Sequence, residues 1–384
     1  MSLTTQGVPD MHRRARRIWI TAVVAACGVV LSLLATAIPA QGAPQAAPTA
    51  RAKASAAVDA MMGFYDQETG RWNPEAPWWQ SGNALQALLD FMTKTGSRKY
   101  LPEVKNTIAE QRKPLEWWPQ GGGEFRADST DDTGWWALAM TRMYDLTRDK
   151  QYLGIAKVDE TYMRDYWDDT CGGGIWWDIR SKTYKNAISI ELYIKLAASL
   201  HNRIPGDKVY LDHALEAWNW FKNSGMINND HLVNDGLTTQ SGGCANNNGT
   251  TWTYNQGVVL GGLVELYKAT GQQSMLTTAR QIADAVIASP LLSPKGILTE
   301  PCEAAGNCEF DGTAFKGIFA RNLGELDNAL PGHPYRSYLR AQADSAYAND
   351  RNGQNQYGQS WAGPFDKASI GRQGSAVSLL VSVL

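Results

Sequence analysis

The feature that most constrains this chain is an alternation of two kinds of helical segment, which runs from about residue 52 to the end of the sequence. One kind is charged and amphipathic, over 52–62, 100–113, 152–167, 209–222, 275–288 and 335–348. The other kind is more apolar and starts with a polar residue near a small one, at Asn83-Ala84, Asp132-Thr133-Gly134, Asn186-Ala187, Gln256-Gly257, Lys316-Gly317 and Gln373-Gly374. These starts are 49, 54, 70, 60 and 57 residues apart, which predicts six helical hairpins.

Six hairpins of this kind predict an all-α fold, an (α/α)6 barrel with an inner and an outer ring of helices. Inner helices are buried on nearly all sides, which agrees with the apolar character of the second kind of segment. Small residues near their starts allow close packing, and the polar residues there gather at one mouth of the barrel. An open α-solenoid is the alternative, and it exposes more of the inner face. No long stretch has the period of two that strands require.

The N-terminal segment predicts export from the cell. Arg13, Arg14, Arg16 and Arg17 precede an apolar run and then the small residues of ATAIPAQGA. We therefore predict a signal peptide over 1–43, a flexible Ala/Pro-rich linker over 44–55 and a single catalytic domain over 56–384. An uncleaved membrane anchor and lipidation at Cys27 are the weaker alternatives. After cleavage the protein is expected to be secreted, without stable membrane association.

Four cysteines remain after such a cleavage, namely Cys171, Cys244, Cys302 and Cys308. In an exported chain they predict two disulfides. Three pairings are possible. The short loop favours a Cys302–Cys308 bond, which leaves Cys171 with Cys244. A zinc site is the weaker interpretation, because no histidine lies near these cysteines in sequence.

Charge and aromatic content point to a sugar ligand. The formal net charge of −2 argues against a nucleic-acid partner, which usually requires a basic face. Stretches rich in Gly and Trp, over 116–125, 171–178 and 240–256, precede the apolar helices and should meet at one rim. Trp faces stack on sugar rings and amides bond hydroxyl groups, although these tryptophans could instead pack the loops onto the barrel. The candidate substrate contacts are Trp117, Trp118, Trp135, Trp176, Trp177, Asn186, Tyr254, Asn255, Gln256 and Phe315.

The segment STDDTGWWALAM, over 129–140, places two acids in the first turn of an apolar helix, with Ser129 as its N-cap. One interpretation is structural, because the positive end of a helix favours acids. The other is catalytic, because a retaining glycosidase needs two carboxyl groups about 5–5.5 Å apart, which neighbours can reach. Repulsion between them would split their pKa values and keep one protonated. A position at the barrel mouth favours catalysis by Asp131 and Asp132.

Other acids are weaker catalytic candidates. Asp168 and Asp169 form a second adjacent pair, but this pair precedes a glycine run in WDDTCGGGIWW rather than an inner helix. We therefore expect it to order the loop. Asp178 and Asp235 are weaker still.

Five motifs in order resemble glycoside hydrolase family 76, the endo-α-1,6-mannanases and related fungal cell-wall transglycosidases. They are STDDTGWWALA, WDDTCGGGIWW, YKNAIS, TYNQGVVLGGLVELYKATG and FKGIFARNL. The resemblance covers about residue 58 to the C-terminus and suggests a secreted bacterial member. It implies an (α/α)6 barrel and a retaining double displacement. It also implies that Asp131 is the nucleophile and Asp132 the acid/base. The insertion around 244–251 departs from many relatives and puts substrate length and branching in doubt.

The expected function is endo cleavage of an α-1,6-mannan backbone by a monomer, without a metal or other cofactor. A transglycosidase that acts on α-mannose-containing cell-wall glycans is the alternative within the enzyme class. A non-catalytic carbohydrate-binding protein is the alternative outside it, although such a protein would not need both Asp131 and Asp132.

Overall fold

The computed structural model describes residues 48–239 and 243–384, so the predicted signal peptide lies outside the described residues. Within these residues the chain forms twelve α-helices. The odd-numbered ones form the outer ring: α1 (Ala50–Met62), α3 (Leu101–Gln111), α5 (Lys150–Arg164), α7 (Val209–Asn223), α9 (Gln273–Ala288) and α11 (Arg336–Asn349). The even-numbered ones form the inner ring: α2 (Trp78–Thr95), α4 (Thr130–Thr147), α6 (Ala187–Arg203), α8 (Thr253–Thr270), α10 (Phe315–Ala329) and α12 (Ile370–Ser382).

The inner helices close into a ring. Each packs against the next in chain order, and α12 packs against α2. Outer helices lie against the inner ones, for example α5 on α4 and α6, and α1 on α12. The predicted (α/α)6 barrel is therefore confirmed. The open solenoid is excluded, because a solenoid leaves its first and last repeats apart.

Glycines let neighbouring inner helices approach closely at some of the predicted positions. A Cβ atom added to Gly317 of α10 would lie 2.3 Å from the Cα atom of Ser375 in α12, and one on Gly257 of α8 would lie 2.6 Å from Cα of Phe319. Only glycine fits at such contacts. Gly374 differs, since a Cβ atom there would meet nothing within 4 Å. Close packing thus explains Gly257 and Gly317, but not Gly374.

Several sequence-based boundaries need correction. Residues 50–55 of the predicted linker belong to α1, because the hydroxyl of Thr49 accepts the N–H of Ala52 and caps a run of strong helix formers. The inner helices α2, α8 and α12 begin at Trp78, Thr253 and Ile370, a few residues before the predicted starts. The residues before those starts lack an obvious helical pattern, so the sequence alone placed them in loops.

Short elements complete the described part of the chain. Strands β1 (Tyr65–Asp66) and β2 (Arg71–Trp72) form one antiparallel hairpin, and β3 (Leu237–Thr238) and β4 (Ala245–Asn246) form another. Single 3-10 turns lie at Pro119–Gly121, Thr170–Gly172, Pro294–Gly296, Pro301–Glu303 and Asp311–Thr313. No helix in residues 48–239 and 243–384 is long and apolar enough to cross a bilayer.

A buried ion network joins the inner helices near their C-terminal ends. The ammonium of Lys195 lies 2.5 Å from Oδ1 of Asn322 and 2.7 Å from a carboxylate oxygen of Glu325. Arg142 contacts Glu325 at 2.5 Å and Asp90 at 3.3 Å. Burial alone would raise the pKa of Glu325, but Lys195 and Arg142 hold it well below its ordinary value. Charges on α2, α4, α6 and α10 therefore compensate one another inside the barrel.

Candidate active site

The N-terminal ends of five inner helices surround a cavity of about 600 Å³ at one mouth of the barrel. A cavity of this size accommodates a small-molecule ligand or a few sugar rings. Its lining combines aromatic and acidic side chains with a disulfide-closed loop. The lining residues are Trp79, Asp131, Trp135, Trp177, Tyr184, Asn186, Asp235, Trp252, Tyr254, Cys302, Asn307, Cys308, Glu309, Phe310, Asp311, Gly312 and Phe315.

The first turn of α4 is fixed by backbone and hydroxyl contacts with the loops that precede α4 and α6. The hydroxyl of Thr130 donates to the carbonyl of Trp176 at 2.8 Å, and its backbone N–H donates to the carbonyl of Trp177 at 3.0 Å. Thr133 accepts the N–H of Ala127 at 3.0 Å. Ser129 is the N-cap residue, as predicted, although its hydroxyl accepts no backbone N–H. Asp131, between Thr130 and Thr133, is thereby held against the cavity.

Asp131 lines the cavity and has donors for its ionised form. Burial raises its pKa, and the charge of Asp311 adds to the rise. The indole N–H of Trp177 and the backbone N–H of Asp132 oppose it, the latter 3.0 Å from Oδ1 of Asp131. Hydrogen bonds to a carboxylate stabilise its anion. Asp131 is thus the better supported anion of the pair.

Asp132 is half-buried beside Asp131, although it is not among the lining residues. Its pKa is raised well above the ordinary value, because burial and then the charges of Asp131, Asp311 and Asp128 disfavour ionisation. The hydroxyl of Ser129 opposes this only in part. Asp132 is therefore suited to hold a proton while its neighbour is charged.

An aromatic stack forms one side of the cavity. The rings of Tyr254 and Phe315 are stacked with centroids 3.8 Å apart, and Trp79 stacks at 5.8 Å from Trp135 and 6.1 Å from Phe315. These rings come from α2, α4, α8 and α10. They give the cavity rigid apolar faces between its carboxylates. Flat apolar faces next to hydrogen-bonding groups suit a sugar ring, which has both C–H faces and hydroxyl edges.

The cavity brings together about half of the side chains that the sequence predicts as substrate contacts. Trp135, Trp177, Asn186, Tyr254 and Phe315 line it together with Asp131. Trp117 remains an exposed side chain, but it lies outside the lining and packs edge-on against Trp78.

Four predicted contacts are packing residues in the structure. Trp118 is buried and donates to the hydroxyl of Tyr162, and Trp176 is buried and donates to Asp168 at 2.7 Å. Asn255 is fully buried, and its amide lies 3.5 Å from Asp235. Gln256 bonds the backbone of Val233 at 2.7 and 2.8 Å. None of these four side chains lines the cavity.

Several lining residues lack a sequence signal that singles them out. Trp79 belongs to the Trp pair before Asn83, which the sequence left unassigned, and it donates to Oδ1 of Asp311 at 2.9 Å. Asp235 was only a weak candidate, and it accepts the hydroxyl of Tyr184 at 2.6 Å. Trp252 and the 307–312 segment also line the cavity. A Trp at the start of an inner helix is the signal that could have found Trp79 and Trp252, whereas Asp235 lies far from any inner-helix start in sequence.

Asp168 of the second aspartate pair orders a loop, in agreement with the interpretation from sequence, whereas the side chain of Asp169 is exposed. Asp168 accepts from Lys185, Trp176 and the backbone N–H of Thr170. Although burial acts in the opposite direction, these donors lower its pKa to about 2. Asp178 accepts from Ser181 and lies outside the cavity lining.

Both predicted disulfides are present, Cys171–Cys244 and Cys302–Cys308. The second lies at the cavity, where its two cysteines are lining residues. It closes the loop that precedes Glu309, Phe310 and Asp311. In the 244–251 segment, Asn247 donates to the hydroxyl of the lining residue Tyr184 at 3.0 Å.

The family model of glycosyl hydrolase family 76 matches residues 49–384. The chain belongs to this family. This family 76 chain is 28% identical over 303 residues to a putative mannan endo-1,6-alpha-mannosidase of Schizosaccharomyces pombe, covering 75% of this chain and 67% of the relative. It is 27% identical over 349 residues to the mannan endo-1,6-alpha-mannosidase DFG5 of Candida albicans, covering 83% and 75%.

A solved family 76 structure shares the architecture. The alpha-1,6-mannanase of Salegentibacter sp. HEL1_6 superimposes with a TM-score of 0.77 and 25% identity, over 87% of this chain and 99% of that one. An inactive variant of that mannanase, with two consecutive aspartates replaced by asparagine, was solved in complex with alpha-1,6-mannotriose and is equally similar. The family 76 relatives come from fungi and bacteria, so a bacterial source for this chain stays a prediction.

Proposed function

We propose that this family 76 chain is a secreted, retaining endo-α-1,6-mannanase in which Asp131 is the nucleophile and Asp132 the acid/base. The observation that carries the proposal is the pair of adjacent carboxyl groups at the edge of an aromatic cavity. Their surroundings push their pKa values apart in the direction that the two roles require.

The proposed reaction has two displacements at the anomeric carbon. In the first, a carboxylate oxygen of Asp131 forms a bond to this carbon while the glycosidic bond breaks and Asp132 gives its proton to the departing oxygen. In the second, Asp132 takes a proton from water, the water oxygen attacks the same carbon, and Asp131 leaves as a carboxylate. Two inversions give net retention, and both aspartates return to their starting protonation states.

The choice of mannan rests on the similar proteins. Three of them carry names that specify cleavage of 1,6-alpha-linked mannan or mannosides. The inactive Salegentibacter variant with mannotriose lacks two consecutive aspartates. This chain has two such pairs, Asp131-Asp132 and Asp168-Asp169. Only the first reaches the cavity, which supports the assignment of catalysis to it.

The side chains that line the cavity fit a neutral sugar chain. Asn186, Tyr184 and Asp235 provide donors and acceptors for hydroxyl groups, and Trp177 is 39% exposed at the opening. The lining contains no Lys, Arg or His among the described residues. An anionic polysaccharide would therefore find no compensating charge there.

Hydrolysis of unbranched α-1,6-mannan tests the function. The full chain should release short α-1,6-manno-oligosaccharides of mixed length, which a reducing-end assay with chromatographic separation detects. Asp131→Asn should lower the rate by about a thousandfold or more while the protein stays folded. Asp169→Asn is the matched control, because Asp169 is exposed and is not a lining residue of the cavity, and it should keep the full rate.

Three outcomes would change the proposal. Normal hydrolysis by Asp131→Asn would refute the nucleophile assignment. Longer oligosaccharides on addition of an acceptor sugar would identify a transglycosidase instead, because transfer and hydrolysis share the first displacement. Binding of mannan without any product would identify a carbohydrate-binding protein.

Secretion is part of the proposal and has its own test. The two disulfides in the described residues support an oxidising compartment. The N-terminus of the exported protein should lie within or just after residues 37–43. N-terminal sequencing of the protein purified from the culture medium measures it. Sedimentation of the same sample tests the predicted monomer.

A further inference from the structure

The ammonium of Lys185 lies in a cage of oxygen atoms. The side chain is fully buried in the segment that leads into α6. Five oxygens surround Nζ, and all belong to the 168–174 loop. They are Oδ1 of Asp168 at 2.8 Å and the carbonyls of Asp168 at 3.1 Å, Thr170 at 2.7 Å, Gly173 at 2.7 Å and Gly174 at 3.0 Å.

This arrangement resembles ion coordination more than a set of separate hydrogen bonds. An ammonium has only three protons to donate, fewer than the surrounding oxygens. Shells of backbone carbonyls are the means by which proteins replace the hydration of K⁺. The ring of Trp176 lies 4.7 Å from Nζ and adds a cation–π contact.

The backbone of the loop is folded so that its carbonyls converge. Cys171, Gly172, Gly173 and Gly174 have φ values of 61°, 72°, 136° and 91°, in the region that favours glycine. A Cβ atom at Gly174 would lie 2.4 Å from the ring of Trp220. The cage therefore depends on the glycine run, which explains why this sequence combines three glycines with a buried lysine.

The loop connects directly to the first turn of α4. Trp176 and Trp177 follow the cage, and their carbonyls accept the hydroxyl and the N–H of Thr130 at 2.8 and 3.0 Å. Thr130 precedes Asp131. The indole of Trp177 also stabilises the charged form of Asp131. A displacement of the loop would move both contacts.

We propose that the 168–174 loop is a monovalent-cation site that the chain fills with its own Lys185 ammonium, and that this ion positions Trp177 and the Asp131 end of α4. Lys185 is then a positioning residue that touches no substrate. The effect on Asp131 rests on the proposed function, whereas occupation of the cage does not.

Lys185→Ala in the full chain tests the proposal, because it empties the cage and leaves space for an ion. At constant ionic strength set with choline chloride, we expect the mannanase rate to fall by on the order of tenfold to a hundredfold. Ammonium or K⁺ should restore most of it and raise the melting temperature. In choline, Trp177 no longer stabilises the Asp131 anion, so the acid limb of the kcat/KM profile should move to higher pH. Addition of ammonium should return the limb to its wild-type position.

Two further variants make the result specific. Lys185→Met fills the space of the lysine side chain with a neutral one. The acid limb of its kcat/KM profile should therefore also move to higher pH, but it should not respond to ammonium or K⁺. Lys105→Ala removes an exposed lysine of α3 and should match the wild type in every measurement. If Lys185→Ala does not fold, the Lys185→Met profile alone decides.

The proposal is overturned by an unshifted acid limb in Lys185→Met, or by a folded Lys185→Ala that keeps full activity. It is also overturned if neither cation changes the melting temperature of a folded Lys185→Ala. A wild-type chain that cleaves no mannan would refute the proposed function. The melting-temperature response would still test the cage.

Discussion

At the scale of single residues, Asp131 and Asp132 differ in what surrounds them. Asp131 has the indole of Trp177 and a backbone N–H beside its carboxylate, whereas Asp132 is surrounded mainly by other acids. The sequence places both in one helical turn, but it cannot show which of them receives the donors. The indole donor belongs to Trp177, which lies in a loop more than forty residues further along the chain.

Azide should distinguish the two roles. In Asp131→Ala, azide can occupy the space of the missing carboxylate and attack an aryl α-1,6-mannobioside, which gives a β-configured glycosyl azide. In Asp132→Ala the covalent intermediate still forms with a good leaving group, and azide then gives the α-configured product. NMR of the isolated azides measures the configuration. The reverse pattern would exchange the two assignments.

Asp132 should also destabilise the folded protein at neutral pH. Its folded-state pKa is raised, so the native state binds the proton more tightly than the unfolded state, and stability falls as pH rises through this range. Asp132→Asn should therefore raise the free energy of unfolding at pH 7 by about 1 kcal/mol or more. The gain should vanish below about pH 4, where Asp132 is protonated in both states. Urea titrations at the two pH values measure it, and an equal gain at both would contradict this explanation.

At the scale of elements, periodicity predicts the outer helices to within a few residues, because each has one apolar and one charged face. The sequence predicts less well which side chains line the cavity. Trp118 and Trp176 lie in the predicted rim loops, yet both side chains are buried, and their indole N–H groups donate to Tyr162 and Asp168. Tyr162 is 44 residues from Trp118 and Asp168 is 8 residues from Trp176, and no sequence pattern marks either pairing, so only the folded chain reveals them.

Two glycines of the inner ring should respond oppositely to the same substitution. Gly317→Ala forces a Cβ atom against the backbone of Ser375 and should destabilise the protein by about 1–3 kcal/mol or more. Gly374→Ala meets open space inside α12 and should stabilise it by about 0.5–1 kcal/mol through helix propensity. Thermal unfolding of both variants tests the close approach of α10 and α12. Equal effects would contradict it.

At the scale of the whole molecule, the cavity at the barrel mouth and the ion network lie at different ends of the inner helices. Glu325→Gln removes the carboxylate between Lys195 and Arg142 and should cost about 3–5 kcal/mol of stability at pH 7. The folded-state pKa of Glu325 is depressed, so its contribution is present at neutral pH and is lost as pH falls below about 4.

Denaturant unfolding of Glu325→Gln at pH 7 and at low pH measures this contribution, and kcat should stay unchanged while the variant is folded. Glu216→Gln is the matched control, because the Glu216 side chain of the Arg164–Glu216 ion pair is 48% exposed. That substitution should change stability by less than about 1 kcal/mol. A similar loss in the free energy of unfolding of both variants would show that burial of the network does not increase its contribution to stability.

The closed ring has a consequence for how the chain can be rearranged. Ala50 at the beginning of α1 and Val383 just after α12 line the same shallow hollow, so the two ends of the described domain are neighbours. The turn at Gly271 and Gln272, between α8 and α9, is exposed and follows the C-terminal end of α8, whereas the cavity lies at the N-terminal ends of the inner helices. A circular permutant that joins the neighbouring ends and opens the chain at this turn keeps every hairpin beside its partners. The cyclic order of the hairpins, and not the point at which the polypeptide starts, is what this architecture requires.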